Sequence, residues 1–109
     1  MIKITNYADW LQVSEKEQSL LLFVKTTNCS VCEGLYPKMQ ELQVETSIPF
    51  YMVNASDVKE MAGQLSLFTA PVVLFWRNNK EYARFARFIS LGDIRNVLKE
   101  LDDMGNSHV

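Results

Sequence analysis

The chain predicts an α/β fold, a mixed central β-sheet flanked by helices in the order β-α-β-α-β-α-β-β-α. Three observations carry that expectation. The run Leu20-Leu21-Leu22-Phe23-Val24 is apolar without alternation and too short for a helix, which suits a strand covered on both faces. Stripes at helical spacing follow it, around Met39 and again around Val97. Near the C-terminal end, Asn78-Asn79 separates two strand-like stretches in the manner of a hairpin. With 109 residues, 48% of them hydrophobic, residues 1–109 are expected to form one domain around one core.

The elements follow in order. Ile2 to Thr5 is a short strand candidate, and Asn6 caps a helix opening at Tyr7 and running to Leu11, after which the polar Ser14-Glu15-Lys16-Glu17-Gln18 turns back. Leu20 to Lys25 is the first central strand. From Ser30 to Glu45, Cys32, Leu35, Tyr36, Met39 and Leu42 form an apolar stripe, while Glu33, Lys38, Gln40 and Glu41 face water. Pro37 lies inside this helix, deletes one backbone hydrogen bond at a cost of about 3 kcal/mol and is expected to kink it.

Phe50 to Ala55 is the next strand. Asp57 and Glu60 have the spacing of a capping box for a helix through Met61 to Leu65, with Gly63 expected to end or fray it. Pro71 directly precedes Val72-Val73-Leu74-Phe75-Trp76, a position proline tolerates in a strand. Beyond the Asn78-Asn79 turn, Glu81 to Phe88 reads as an irregular edge strand. The tandem triplets Ala83-Arg84-Phe85 and Ala86-Arg87-Phe88 match no structural period, so their repetition is read as chance, with Arg84 and Arg87 as solvated charges. Ser90 and Asp93 cap a last helix with the stripe Ile94, Val97, Leu98 and Leu101, and Met104 to Val109 is expected to fray. Trp10, Trp76, Met39 and Met61 are expected in the core.

Charge and patterning exclude several classes. Eleven Lys plus Arg against thirteen Asp plus Glu leave a net charge of -2 and no basic stripe for a phosphate backbone, so no nucleic-acid partner is expected. No apolar run approaches the ~20 residues that span a bilayer, and the first ten residues lack the pattern of an export signal, so the expected address is cytoplasmic and the expected state a soluble monomer.

Chemistry is concentrated at Cys29-Ser30-Val31-Cys32. Two cysteines at i and i+3 on a first helical turn fall within roughly the 4.4–6.8 Å Cα separation that a disulfide needs, so the pair can open and close with little strain. In a reducing cytosol such a pair is rarely a structural brace, and a working dithiol is favoured. Zinc asks for four ligands, and His108 is the one other soft candidate, so neither metal nor cofactor is expected. A metal shared between two chains is compatible with the spacing but is supported by no additional cysteine. Glycine-rich phosphate loops are absent from the sequence.

The element order, a CxxC motif after a strand, Pro37 behind it and Ala70-Pro71 opening a later strand together resemble the thioredoxin family from Ile2 to about Leu101. The resemblance implies a thiol–disulfide oxidoreductase in which Cys29 is the exposed nucleophile and Cys32 the buried resolving thiol. Helix position agrees, because unpaired N–H groups and the positive helix end favour a thiolate below the ordinary thiol pKa of ~8.5. It also implies a cis bond before Pro71, with the Ala70 backbone pairing an extended substrate segment as an added strand would. The implied partners are disulfide-containing proteins, with a thioredoxin reductase or a low-molecular-weight thiol as electron source.

Four departures bear on that activity. Asn28 replaces the tryptophan usual before the first cysteine, and Ser30-Val31 replaces the Pro-Gly or Pro-His pairs of relatives. Phe23 aligns with a buried aspartate thought to take the proton of the second cysteine, leaving Lys25, Tyr36 or water as alternatives. Arg87 aligns with a glycine beside the substrate groove. Asn28, Ser30, Val31, Ala70, Pro71 and Arg87 are therefore the candidate substrate contacts, and a narrowed substrate range is expected. The competing reading is a non-catalytic thioredoxin-fold module that binds partners or senses redox state.

Overall fold

The computed structural model describes residues 1–106. Nine elements follow the expected order: β1 (Ile2–Ile4), α1 (Tyr7–Lys16), β2 (Ser19–Lys25), α2 (Ser30–Gln43), β3 (Phe50–Asn54), α3 (Lys59–Leu65), β4 (Val72–Arg77), β5 (Lys80–Ala86) and α4 (Leu91–Asn106). One sheet runs β1-β3-β2-β4-β5, with β1 and β2 parallel to β3, and β4 antiparallel to both β2 and β5. The antiparallel hairpin expected between β4 and β5 is thus joined by a second antiparallel pairing, β2 with β4, because the chain re-enters the sheet after α3 in the opposite sense.

The apolar run on β2 is explained by two cores. Leu20, Leu22 and Val24 face one side with Ile4, Trp10, Tyr51, Val53, Met61, Val72 and Leu74, beneath α1 and α3. Leu21 and Phe23 face the other with Cys32, Met39, Leu42, Val73, Phe75, Ile94, Leu98 and Leu101, beneath α2 and α4. A strand with both faces dry has no polar face to show, hence no alternation. Trp10 and Trp76 meet edge-to-face in the first layer, ring centroids 5.1 Å apart, with Trp76 only partly buried.

Several boundaries differ from expectation, each for a local reason. Helix α1 continues past Leu11 to Lys16, because Ser14 is buried with its hydroxyl donating to the Leu11 carbonyl at 3.1 Å. The Asp57–Glu60 capping box does not form: the N-cap of α3 is Val58, which is buried in the core and has no side-chain cap, so burial sets the start one residue late. Gly63 lies inside α3; the helix ends instead at Ser66, whose φ of 56° is left-handed, with the Leu67 N–H reaching the Ala62 carbonyl at 2.8 Å. Arg84 donates to the Leu65 and Ser66 carbonyls at 2.7 and 3.0 Å and pairs with Glu81, so it closes that helix end as well as carrying surface charge.

The expected frayed tail is helical through Asn106. Asp102 accepts hydrogen bonds from Thr46 and Ser47, both at 2.7 Å, and Met104 packs on the α2–α4 core, which extends α4 beyond Leu101. Residues 107–109, with His108, lie outside the described residues. The hairpin forms as expected, with Asn78 and Asn79 both left-handed at φ 51° and 62°. Strand β5 stops at Ala86, two residues early. The two triplets occupy unlike surroundings: Phe85 packs edge-to-face on Phe75, whereas Phe88 is 96% exposed, so the repeat has no structural counterpart.

Tyr51 ties the end of α1 to β3 by donating its phenol proton to Glu17 at 2.7 Å. Burial, reinforced by that hydrogen bond and the Glu17 charge, pushes its pKa up to about 12. An unfolded tyrosine releases its proton near ~10, so between about pH 10 and 12 the unfolded state binds fewer protons than the folded one. The stability this confers is complete below that window and is lost as pH rises through it. Tyr51→Phe is expected to flatten that part of the decline relative to the parent, measured by chemical denaturation across alkaline pH.

Candidate active site

Strand β2 delivers the chain to the cysteines through Thr26, Thr27 and Asn28, and this connection is tied at several points. The Ala55 N–H reaches the Lys25 carbonyl at 2.9 Å, the Thr27 N–H reaches Ser56 Oγ at 3.2 Å, and Asn54 Nδ2 donates to Thr27 Oγ1 at 3.3 Å. Asn28 then turns the backbone with a left-handed φ of 61°. Asparagine enters that region far more readily than a tryptophan would, which gives this departure from the family pattern a backbone reason.

Cys29 is the N-cap of α2, and its Sγ accepts the Cys32 N–H at 3.2 Å. The sulfur thus occupies the place of a capping oxygen, at the end of the helix where unpaired donors and the dipole stabilise negative charge. Cys29 and Cys32 are joined as a disulfide with Cα atoms 5.3 Å apart. Their surroundings differ: Cys29 is partly exposed, while Cys32 is 1% exposed and belongs to the α2–α4 core. Pro37 lies within the otherwise continuous α2.

Ala70–Pro71 is a cis peptide bond, as the resemblance implied. Pro71 is buried, Ala70 packs against the same core as Cys29, and the Pro71 carbonyl accepts the Arg87 N–H at 3.0 Å. A groove of about 280 Å³ is lined by Val31, Gly34, Leu35, Lys38, Pro71, Arg87 and Ile89. It brings Val31, Pro71 and Arg87 together. Asn28 and Ser30 are exposed beside Cys29 and do not line it. Arg87 has a φ of 66°, a left-handed conformation that glycine adopts without penalty and a side chain adopts at a cost of roughly 1–2 kcal/mol.

A second cavity, about 180 Å³, lies against the buried cysteine and is lined by Phe23, Lys25, Cys32, Glu33, Tyr36 and Met52. It is large enough for water and has polar groups on its wall. Lys25 and Tyr36, singled out from the sequence, both border it. Glu33 was not singled out, since its place on α2 marked it only as water-facing; its position next to Cys32 in sequence was the available signal. Among the described residues no three His, Cys, Asp or Glu side chains are grouped to hold a metal, and no helix is long and apolar enough to cross a membrane.

Comparison with known proteins agrees with this geometry. The family model described as thioredoxin matches residues 2–100. The thioredoxin-like protein YdfQ of Bacillus subtilis is 32% identical over 81 residues, covering 73% of this chain and 72% of the relative. Among solved structures, Fasciola hepatica thioredoxin superposes with a TM-score of 0.83 at 21% identity, covering 92% of this chain and 98% of the other. The reduced Schistosoma mansoni thioredoxin pre-protein gives 0.84 at 17% identity, with 91% and 95% covered. At those identities the superpositions speak for the fold alone.

Proposed function

Because the chain belongs to the thioredoxin family and is, in the general sense, a thiol–disulfide oxidoreductase, we propose that it exchanges dithiol for disulfide with protein or small-thiol substrates, Cys29 attacking and Cys32 resolving. The asymmetry of the pair carries this reading: one sulfur caps a helix at the surface and the other is buried. The Cys29 thiolate attacks a substrate sulfur, the substrate S–S bond breaks, and the first substrate sulfur leaves as a thiolate that takes up a proton. Cys32, after giving up its own proton, attacks Cys29 Sγ in the mixed disulfide. The second substrate thiolate leaves, the Cys29–Cys32 bond closes, and two electrons have passed to the substrate. A thioredoxin reductase or a low-molecular-weight thiol returns them.

In this proposal Ala70 offers backbone groups to an extended substrate segment. Asn28, Ser30, Val31, Pro71 and Arg87 supply the surrounding contacts. The proton of Cys32 is taken up by Lys25, Tyr36 or water at the cavity behind it, whose wall Glu33 also lines. One domain, a monomeric state, a cytoplasmic address and operation without metal or cofactor belong to the same reading.

The test is stoichiometric. Reduced protein mixed with a peptide disulfide is expected to release two thiols per chain while its own Cys29–Cys32 bond forms, followed by thiol titration and mass spectrometry. Release no faster than from a protein whose two thiols have been alkylated would favour the non-catalytic module instead.

A further inference from the structure

The groove beside the disulfide carries charge of one sign. Lys38 stands on α2 and Arg87 just beyond β5; both are exposed, both line the groove, and among the described residues no acidic side chain does. This occurs in a chain whose net charge is -2. The Arg87 side chain makes no hydrogen bond or ion pair among the described residues, in contrast to Arg84, which is held by Glu81 and two carbonyls. The backbone N–H of Arg87 is meanwhile fixed on the Pro71 carbonyl at 3.0 Å, which holds the residue at the groove wall in a left-handed conformation. A long cationic side chain, unpaired among the described residues, therefore stands at a position whose backbone favours glycine.

Exposed apolar side chains lie on the groove or near it in sequence. Val31 is 61% exposed and lines the groove, Phe88 is 96% exposed directly after Arg87, and Phe68 is 77% exposed in the segment leading to Pro71. Gly34, on the groove wall, has no heavy atom within 4 Å of where a Cβ would lie, so the groove is open there.

Building on the oxidoreductase reading above, we propose that this groove selects polypeptide disulfides whose attacked cysteine is flanked by acidic residues, carboxylates pairing with Lys38 and Arg87 while neighbouring apolar side chains rest on Val31 and Phe88. Two exposed pairs of this kind give a combined preference of roughly 2- to 30-fold, and screening by salt reduces it.

Three peptide disulfides that are identical except for Glu, Gln or Lys on both sides of each cysteine test this against the reduced protein. The second-order rate of thiol release at low ionic strength is expected to fall from Glu to Gln by at least about two-fold and again from Gln to Lys. The ratio is expected to collapse toward one at about 0.5 M NaCl, and in the Lys38→Gln, Arg87→Gln double variant at low salt. Equal rates for all three peptides with the parent protein would overturn the selection while leaving the oxidoreductase intact. A preference that survives both high salt and the double variant would also overturn it. No reduction of any peptide would refute the oxidoreductase reading itself.

Discussion

Cys29→Ser is expected to reduce disulfide exchange to the uncatalysed background, and Cys32→Ser to stop it after one step with the substrate bound to Cys29. These opposite arrests follow from where the sulfurs sit. A serine hydroxyl is not a nucleophile toward a disulfide, since the thiolate is the attacking species. Serine is nevertheless among the best N-cap residues, so in Cys29→Ser the introduced hydroxyl would still accept the Cys32 N–H and keep α2 in place. Loss of activity with a melting temperature equal to that of the reduced parent would assign the effect to chemistry and not to folding. In Cys32→Ser the partly exposed Cys29 remains competent for the first attack, but the mixed disulfide has no internal thiol to break it. Mass spectrometry is expected to show a stable adduct of one substrate per chain, discharged only by added thiol. If Cys32→Ser turned over as fast as the parent, or Cys29→Ser formed the adduct through Cys32, the assignment of roles would be wrong.

Phe23→Ala is expected to cost about 3–5 kcal/mol, the largest stability effect among the residues around the site. Phe23 is 0% exposed on the central strand, pairs in register with Met52 and Val73, and lies 6.2 Å centroid to centroid from Tyr36. It also forms part of the cavity behind Cys32, so removing the ring would enlarge an existing space of about 180 Å³. Neighbours already lining a cavity have little with which to fill it. Native stabilities are about 5–15 kcal/mol, so the loss consumes a large share and lowers the melting temperature by roughly 12–25 °C. Phe23→Leu, which keeps most of the volume, is expected to lose much less. Thermal and urea unfolding would measure both, and equal stability of Ala and Phe at this position would contradict the packing described.

Much of the architecture was legible because it follows from periodicity and sterics. Leu20 to Val24, the stripe through Met39 and Leu42, the Asn78-Asn79 turn and the stripe through Ile94 and Leu101 each carry a local signal that tertiary structure reinforces. The misses occurred where a distant contact overrode local chemistry. Ser14 is polar yet buried, Val58 starts a helix because the core needs it, and Asp102 extends α4 by meeting Thr46 and Ser47 more than fifty residues away.

At the site, the cysteine pair and Pro71 could be found from motif and order. That Cys29 caps its own helix, that Asn28 and Arg87 are both left-handed, and that Glu33 shares a cavity with Cys32 are properties of backbone angles and spatial neighbours. One-dimensional spacing does not encode them. Arg87 shows the difference best: its identity was visible as an unusual residue for the family, but the conformation that makes it unusual was not.

The edge-to-face pair Trp10 and Trp76 packs with the α1–α3 layer, and the sheet lies between it and the core that contains Cys32. Disulfides quench indole emission over short distances, and the chain's two indoles sit across the sheet from the Cys29–Cys32 bond. Indole fluorescence is consequently expected to report unfolding with little response to oxidation state, whereas Tyr36, which lines the same cavity as Cys32, lies on the face where the redox change occurs.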